Sequence, residues 1–281
     1  MQKRESFFME SEKANVWIAR PQEVGDEQMH ALALTLDASE IERASRFRFE
    51  SDRRAYVVAH GLRRIALGEW LGVDPASLVL ARQSKGKPLL IWPRGGQVFF
   101  SHAHTRELVA FAVAGAGPVG IDVECVAQNK PDFDLLAPYV VLPELSQRVA
   151  ELGVSLAGQF FFYWTALEAF WKAEGTGLSP GNPRICCKKN DTNTFQISLE
   201  GDVGDRRCEP RATVSRIKAP EGCVISLARQ RPQDTAGRAG ATSRSRVGRC
   251  REKDDFFEHT RRNQGSGFVS SVSVRTAGGV R

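Results

Sequence analysis

A chain of 281 residues with a 42% apolar share can bury one large core or two ordinary ones. Its net charge of +6 invites a nucleic-acid reading, yet residues 229–281 hold twelve Lys/Arg and five acids, so the totals of 39 and 33 leave 27 basic and 28 acidic residues in 1–228, a net of −1. The basicity sits in the tail and argues against a nucleic-acid partner; no apolar run approaches the roughly 18 residues of a membrane span and the N-terminus has no signal-peptide core, so a soluble, cytoplasmic protein without membrane contact is expected.

The tail, 229–281, is rich in Arg, Gly and Ser with few periodic apolar positions. It reads as disordered, either an appended basic arm or the product of a shifted reading frame. Six cysteines show no C-x-x-C spacing and no histidines at finger spacing, which argues against a metal finger. Without a secretory signal, free thiols are expected.

In chain order, residues 15–20 suit an opening strand before Pro21. Asp37 or Ser39 can cap a helix whose pattern runs through 46–73, with Tyr56, Val57, Leu62, Ile65, Leu67 and Leu71 as its buried stripe and Gly72 and Asp74-Pro75 as its stop. That helix is unusually basic, and most of its arginines are expected in solvent. Residues 78–81 and 85–91 read as strand, turn, strand, with Lys87 presented beside Pro88 at a loop rim. A strand over 98–102 leads into Ser101-His102, and a buried strand over 108–114 turns through Gly115 to Pro118 in a hairpin to the next strand.

That next strand, Gly120-Ile121-Asp122-Val123-Glu124, points Ile121 and Val123 one way and Asp122 and Glu124 the other. Two neighbouring carboxylates repel unless a cation lies between them, and Mg²⁺ takes such ligands together with phosphate oxygens. The alternative is an exposed strand face with two acids. About forty residues on, 160–174 reads as an apolar, aromatic helix carrying Glu168 and Lys172 one turn apart on one face, ended by Gly175 and Gly177. Three further short strands are expected over 194–199, 212–217 and 223–228.

The order and spacing of GIDVE and WTALEAFWKAEGTGL resemble the 4′-phosphopantetheinyl transferases, specifically the larger, surfactin-synthetase-activating type. The resemblance spans roughly residues 15–228. It implies an α+β fold of two similar halves forming a pseudo-dimer with the active site between them, one half over 1–115 and the other over 116–228. It also implies a monomeric enzyme that moves the 4′-phosphopantetheine arm of coenzyme A to a serine of an apo acyl or peptidyl carrier protein. Asp122, Glu124 and Glu168 would hold Mg²⁺, with Glu168 and Lys172 catalytic. Arg54, Lys87, Ser101 and His102 would contact the coenzyme, Arg54 with Arg53 and Arg46 as neighbours. Family members usually have Asn two residues before the Ser-His pair, where this chain has Phe99. The segment that carrier proteins touch corresponds to 139–150. Two other classes stay open: a different Mg²⁺-dependent phosphoryl-transfer enzyme, although the chain lacks a P-loop and a G-x-G-x-x-G, and a non-catalytic carrier-binding paralogue.

Overall fold

Helix, sheet, sheet and helix are stacked in four layers, and every strand pairing among the described residues is antiparallel. This computed structural model describes residues 14–82, 87–94, 98–126, 139, 156–191, 193–200, 210–230 and 270–274. The N-terminal half contributes β1 (Ala14–Ala19), α1 (Asp26–Leu34), α2 (Ala38–Ser45), α3 (Glu50–Leu71), β2 (Val79–Arg82), β3 (Pro88–Trp92), β4 (Phe99–His104) and β5 (Val109–Ala114). The C-terminal half contributes β6 (Val119–Cys125), α4 (Leu156–Glu174), β7 (Ile185–Lys189), β8 (Thr194–Leu199), β9 (Ala212–Ile217) and β10 (Cys223–Gln230). A last strand, β11 (Ser270–Val274), returns to the first half.

The first sheet runs β11-β1-β5-β4 and the second β6-β10-β9-β8-β7, with β2 and β3 as a separate pair. Strand β5, VAFAVA, is buried on both faces. Its Val109, Phe111 and Val113 pack with Leu62, Ala66 and Leu67 of α3, while Ala110, Ala112 and Ala114 face Ile121, Ile225 and Leu227 of the second sheet. Period-two alternation thus assigns one face to the helix and one to the other half. Helix α4 covers the far side of the second sheet through Phe160, Phe161, Leu167 and Phe170, set against Phe195, Ile197 and Val214. Each such side chain contributes about 1.5–3 kcal/mol on burial, so this apolar helix is held by packing.

Several expectations change. The basic helical stretch is two helices broken over residues 46–49, because Asp37 caps α2 by accepting from the Glu40 N–H at 3.0 Å and α3 restarts after Phe49. Helix α3 ends at Gly72 with φ +69°, the left-handed cap that glycine favours. Helix α1 and strand β7 were not anticipated. Strands β5 and β6 form no hairpin: β1 and β4 already occupy both edges of β5, so the chain crosses at residues 115–118 into the second sheet, where β6 pairs with β10. The tail expectation is corrected at two places, since β10 runs to Gln230 and Ser270–Val274 add an edge strand beside β1. The free-thiol expectation is corrected for Cys125 and Cys223, which are disulfide-bonded across β6 and β10. No helix among the described residues is long and apolar enough to cross a membrane.

Two of the arginines expected in solvent are buried instead. Glu40, 6% exposed, accepts from Arg63, from Arg64 Nε at 2.7 Å and lies 2.8 Å from His60 Nδ1, while Arg64 also reaches Asp37 at 2.6 Å. Burial alone would raise the Glu40 pKa, but the His60 hydrogen bond and the Arg63 and Arg64 charges together bring it down to about 2. An acid whose folded pKa is depressed contributes stability that is present above its unfolded value near 4.5 and lost as pH falls toward 2. Glu40→Ala leaves two buried guanidinium groups short of a partner, so it should cost about 3–5 kcal/mol at pH 7. Denaturant midpoints measured from pH 7 to pH 3 should show the wild type losing stability below pH 4.5 and the variant both weaker and flatter with pH.

Candidate active site

Strand β6 and helix α4 meet where Gly120 leaves no side chain between them. A Cβ built on Gly120 would lie 1.9 Å from the Ala169 carbonyl oxygen and 2.6 Å from the Ala173 nitrogen, so strand backbone rests directly on helix backbone. Asp122 and Glu124 follow on the same face of β6, and Glu168 and Lys172 flank the touching residues of α4. The four charged residues picked from the sequence therefore converge through one backbone contact.

Lys172 Nζ donates to Asp122 Oδ1 at 2.5 Å and stands 3.7 Å from Glu168 Oε2. Asp122 is 5% exposed, and its second oxygen, Oδ2, is buried with no hydrogen-bond partner among the described residues. Burial pushes the Asp122 pKa up to about 7; the Lys172 charge opposes this, and the Glu168 and Glu124 charges add to it. An orphaned, desolvated carboxylate oxygen in an acidic cluster fits a hard cation. With Lys172 between them, the three carboxylates are not drawn tightly together: among the described residues, the acid, histidine and cysteine groups with all ligand atoms within 4.8 Å of one another are represented by Glu107, Cys125 and Cys223 alone.

Two cavities open beside this cluster and share Lys87, Pro88, Phe100 and Gly175. The smaller, about 250 Å³, also has Ser101, His102 and Lys172 on its wall and spans the two halves. The larger, about 610 Å³, extends along β3 to Arg94 and Glu174. Lys87 Nζ donates to the Lys172 carbonyl at 2.8 Å, tying the first half to the end of α4, and burial lowers its pKa against the pull of Glu174. The turn expected before it, residues 83–86, lies outside the described residues.

Ser101 is turned inward: its Oγ accepts from the Ile121 N–H at 3.2 Å and stitches β4 to β6. His102 is kept neutral first by burial and then by the Arg63, His60, His104 and Lys172 charges. Its ring sits 6.1 Å from His60, which stacks on Tyr56 at 3.9 Å. His60 and Arg63 thus stand beneath the site residue His102, a role the sequence reading missed although the HGLRR spacing places them on one face of α3.

Arg54 is not brought to the cavities. Its guanidinium donates to the carbonyls of Pro21 and Val24, 2.7 Å to the former, and straps the segment between β1 and α1. Its neighbours pair locally, Arg53 with Glu50 at 2.7 Å and Arg46 with Glu42. The segment 139–150 lies outside the described residues except for Tyr139, whose carbonyl accepts from the Ile185 N–H at 2.7 Å.

Residues 22–115 match the family profile described as 4′-phosphopantetheinyl transferase, N-terminal, and residues 118–216 match that of the 4′-phosphopantetheinyl transferase superfamily. The 4′-phosphopantetheinyl transferase HetI of a Nostoc species is 33% identical over 172 residues, 60% of this chain and 71% of that protein. A 4′-phosphopantetheinyl transferase of Bacillus subtilis is 28% identical over 185 residues, covering 66% of this chain and 79% of its own. Among solved structures, a Bacillus anthracis holo-(acyl-carrier-protein) synthase in complex with CoA (3′,5′-ADP) is similar at a TM-score of 0.31 and 17% identity, over 36% of this chain and 93% of that one. With residues 22–115 and 118–216 both matched, and a relative one-third identical over most of its length, the chain belongs to the 4′-phosphopantetheinyl transferase superfamily.

Proposed function

We infer that this protein transfers the 4′-phosphopantetheine arm of coenzyme A to a serine hydroxyl of an apo acyl or peptidyl carrier protein, releasing 3′,5′-ADP. The observation that carries the reading is Asp122 Oδ2, a buried carboxylate oxygen with no hydrogen-bond partner among the described residues, on the residue whose other oxygen holds Lys172, itself on the wall of a cavity lined by both halves. Asp122, Glu124 and Glu168 would hold Mg²⁺, whose charge neutralises the coenzyme's diphosphate as its phosphorus is approached.

The side chains divide the remaining work. Lys172, now neutralising Asp122, is an ammonium within reach of the same cavity and would pair with the diphosphate oxygens as the leaving group departs. Glu168, about 29% exposed at the edge of the cluster, would take the serine proton. Neutral His102 can donate one ring N–H to a phosphate oxygen without the cost of a buried charge. Lys87, shared by both cavities, supplies the cation toward the nucleotide end, where 610 Å³ leaves room for the rest of the coenzyme. Both halves come from one chain, and the acting unit would be a monomer.

Chromatography of the reaction mixture tests this reading. 3′,5′-ADP should accumulate when coenzyme A, Mg²⁺ and an apo carrier are all present and stay at background when any one is omitted. Release independent of the carrier would point instead to a hydrolase.

A further inference from the structure

The same strand that carries Asp122 and Glu124 ends in a cysteine that the transfer chemistry does not use. Antiparallel register sets Cys125 of β6 directly opposite Cys223 of β10, with Cα atoms 4.2 Å apart, and the two are joined although 98 positions separate them in sequence. Cys125 is buried at 2% exposure on the core between the sheets, whereas Cys223 is only partly covered. Thr105 Oγ1 lies 3.6 Å from the Cys125 sulfur, and the Glu107 carboxylate lies within 4.8 Å of both sulfurs. The Val126 N–H donates to Gly222 O at 2.7 Å, closing the ladder just beyond the pair. The bond therefore clamps the end of the strand immediately after Glu124.

We propose that Cys125 and Cys223 form a reversible thiol–disulfide modification site, whose oxidant is a small aliphatic disulfide of the oxidised-glutathione class and whose closure fixes the metal-binding strand. Partly exposed Cys223 is the entry point. Its sulfur attacks the small disulfide, R–S–S–R, forming a Cys223–S–S–R bond and expelling one R–S group, which leaves as R–SH with the Cys223 proton. The Cys125 sulfur, already opposite, then attacks the Cys223 sulfur, forming the protein disulfide and expelling the second R–SH with the Cys125 proton. Two electrons pass from the cysteine pair to the small disulfide. In the reduced state the end of β6 keeps its ladder bonds and loses the covalent clamp, so Glu124 is held less firmly.

The proposal rests on the transferase reading for its consequence but not for its chemistry, and the two are read separately. The full chain is equilibrated with oxidised glutathione or with dithiothreitol, alkylated and digested, and peptide mass spectrometry locates the bond among the other cysteines. A disulfide joining the peptides of Cys125 and Cys223, formed with the first reagent and opened by the second, is the expected result. Reduction should lower the unfolding midpoint by about 5 °C or more, because a long loop is released. It should also raise the Mg²⁺ concentration for half-maximal transfer by roughly 10-fold, with kcat at saturating Mg²⁺ little changed. Cys223→Ser should behave as the reduced protein in either reagent. Full alkylation of both cysteines after the oxidant overturns the proposal, and so does a disulfide that forms but leaves the Mg²⁺ dependence unmoved. Absence of transfer under every condition, with the thiol chemistry intact, would instead count against the transferase reading.

Discussion

Asp122→Asn should lower kcat for transfer by about a thousandfold, roughly 4 kcal/mol of lost transition-state stabilisation, while the protein remains folded. The substitution keeps shape and removes charge at an oxygen that is buried with no hydrogen-bond partner among the described residues. Burial raises this group's pKa to about 7, so the charged carboxylate weakens the fold: an acid with a raised folded pKa binds its proton longer than the unfolded chain, and stability falls as pH rises from 3.8 toward 7. Asparagine escapes that cost, so the unfolding midpoint at pH 7 should be unchanged or higher. Lys172 would still have Glu168, 3.7 Å away in the wild type, as an acidic partner when Asp122 is neutralised. In the wild type, the Mg²⁺ requirement should climb as pH drops below 7, because proton and metal compete for one oxygen. Steady-state kinetics with thermal unfolding on the same preparations decide the matter; near-normal turnover in the Asn variant would remove Asp122 from the metal site.

Gly120→Ala should be almost as damaging and for a different reason. The added methyl would meet the Ala169 carbonyl at 1.9 Å and the Ala173 nitrogen at 2.6 Å, both main-chain atoms that no side-chain rotation can move aside. Strand and helix must part by about 1 Å, a displacement that can cost about a hundredfold in rate when it separates catalytic groups. Overpacking adds roughly 1–3 kcal/mol of destabilisation. Gly120 lacks a positive φ, so the expected loss comes from the close approach alone. If the variant folds, Mg²⁺ affinity measured by calorimetry should fall along with turnover. Unaltered metal affinity would mean that the β6–α4 spacing does not set the site.

The parts of this architecture legible in the sequence are those governed by local periodicity. Alternation along β6 put Asp122 and Glu124 on one face, and the four-residue step in α4 put Glu168 and Lys172 together. The glycines at 175 and 177 do take positive φ, +78° and +69°, and end the helix as their position suggested. What local pattern does not specify is which edge a strand finds. Strands β5 and β6 are adjacent in sequence but belong to different sheets, and the bonding of Cys125 to Cys223 follows from the β6–β10 register rather than from cysteine spacing. Arg63 and Arg64 looked like solvated helix charges because Glu40, which draws them inward, lies more than twenty residues upstream. Arg54 was assigned to the nucleotide by position in a motif, and only the tertiary arrangement shows it spending its donors on Pro21 and Val24 carbonyls. Gly120 read as one letter of GIDVE, since nothing local announces a helix backbone lying against it.

Asp122, Glu124, Glu168 and Lys172 of the C-terminal half, beside the cavity that both halves line, would perform the transfer. Intact-mass spectrometry of an apo carrier protein incubated with coenzyme A, Mg²⁺ and this chain tests it most directly. Each carrier molecule should gain one phosphopantetheine group at its serine with the wild type, and show only trace conversion over the same interval with Asp122→Asn. A carrier of unchanged mass beside folded, coenzyme-binding wild-type protein, or full conversion by the Asn variant, would contradict the account.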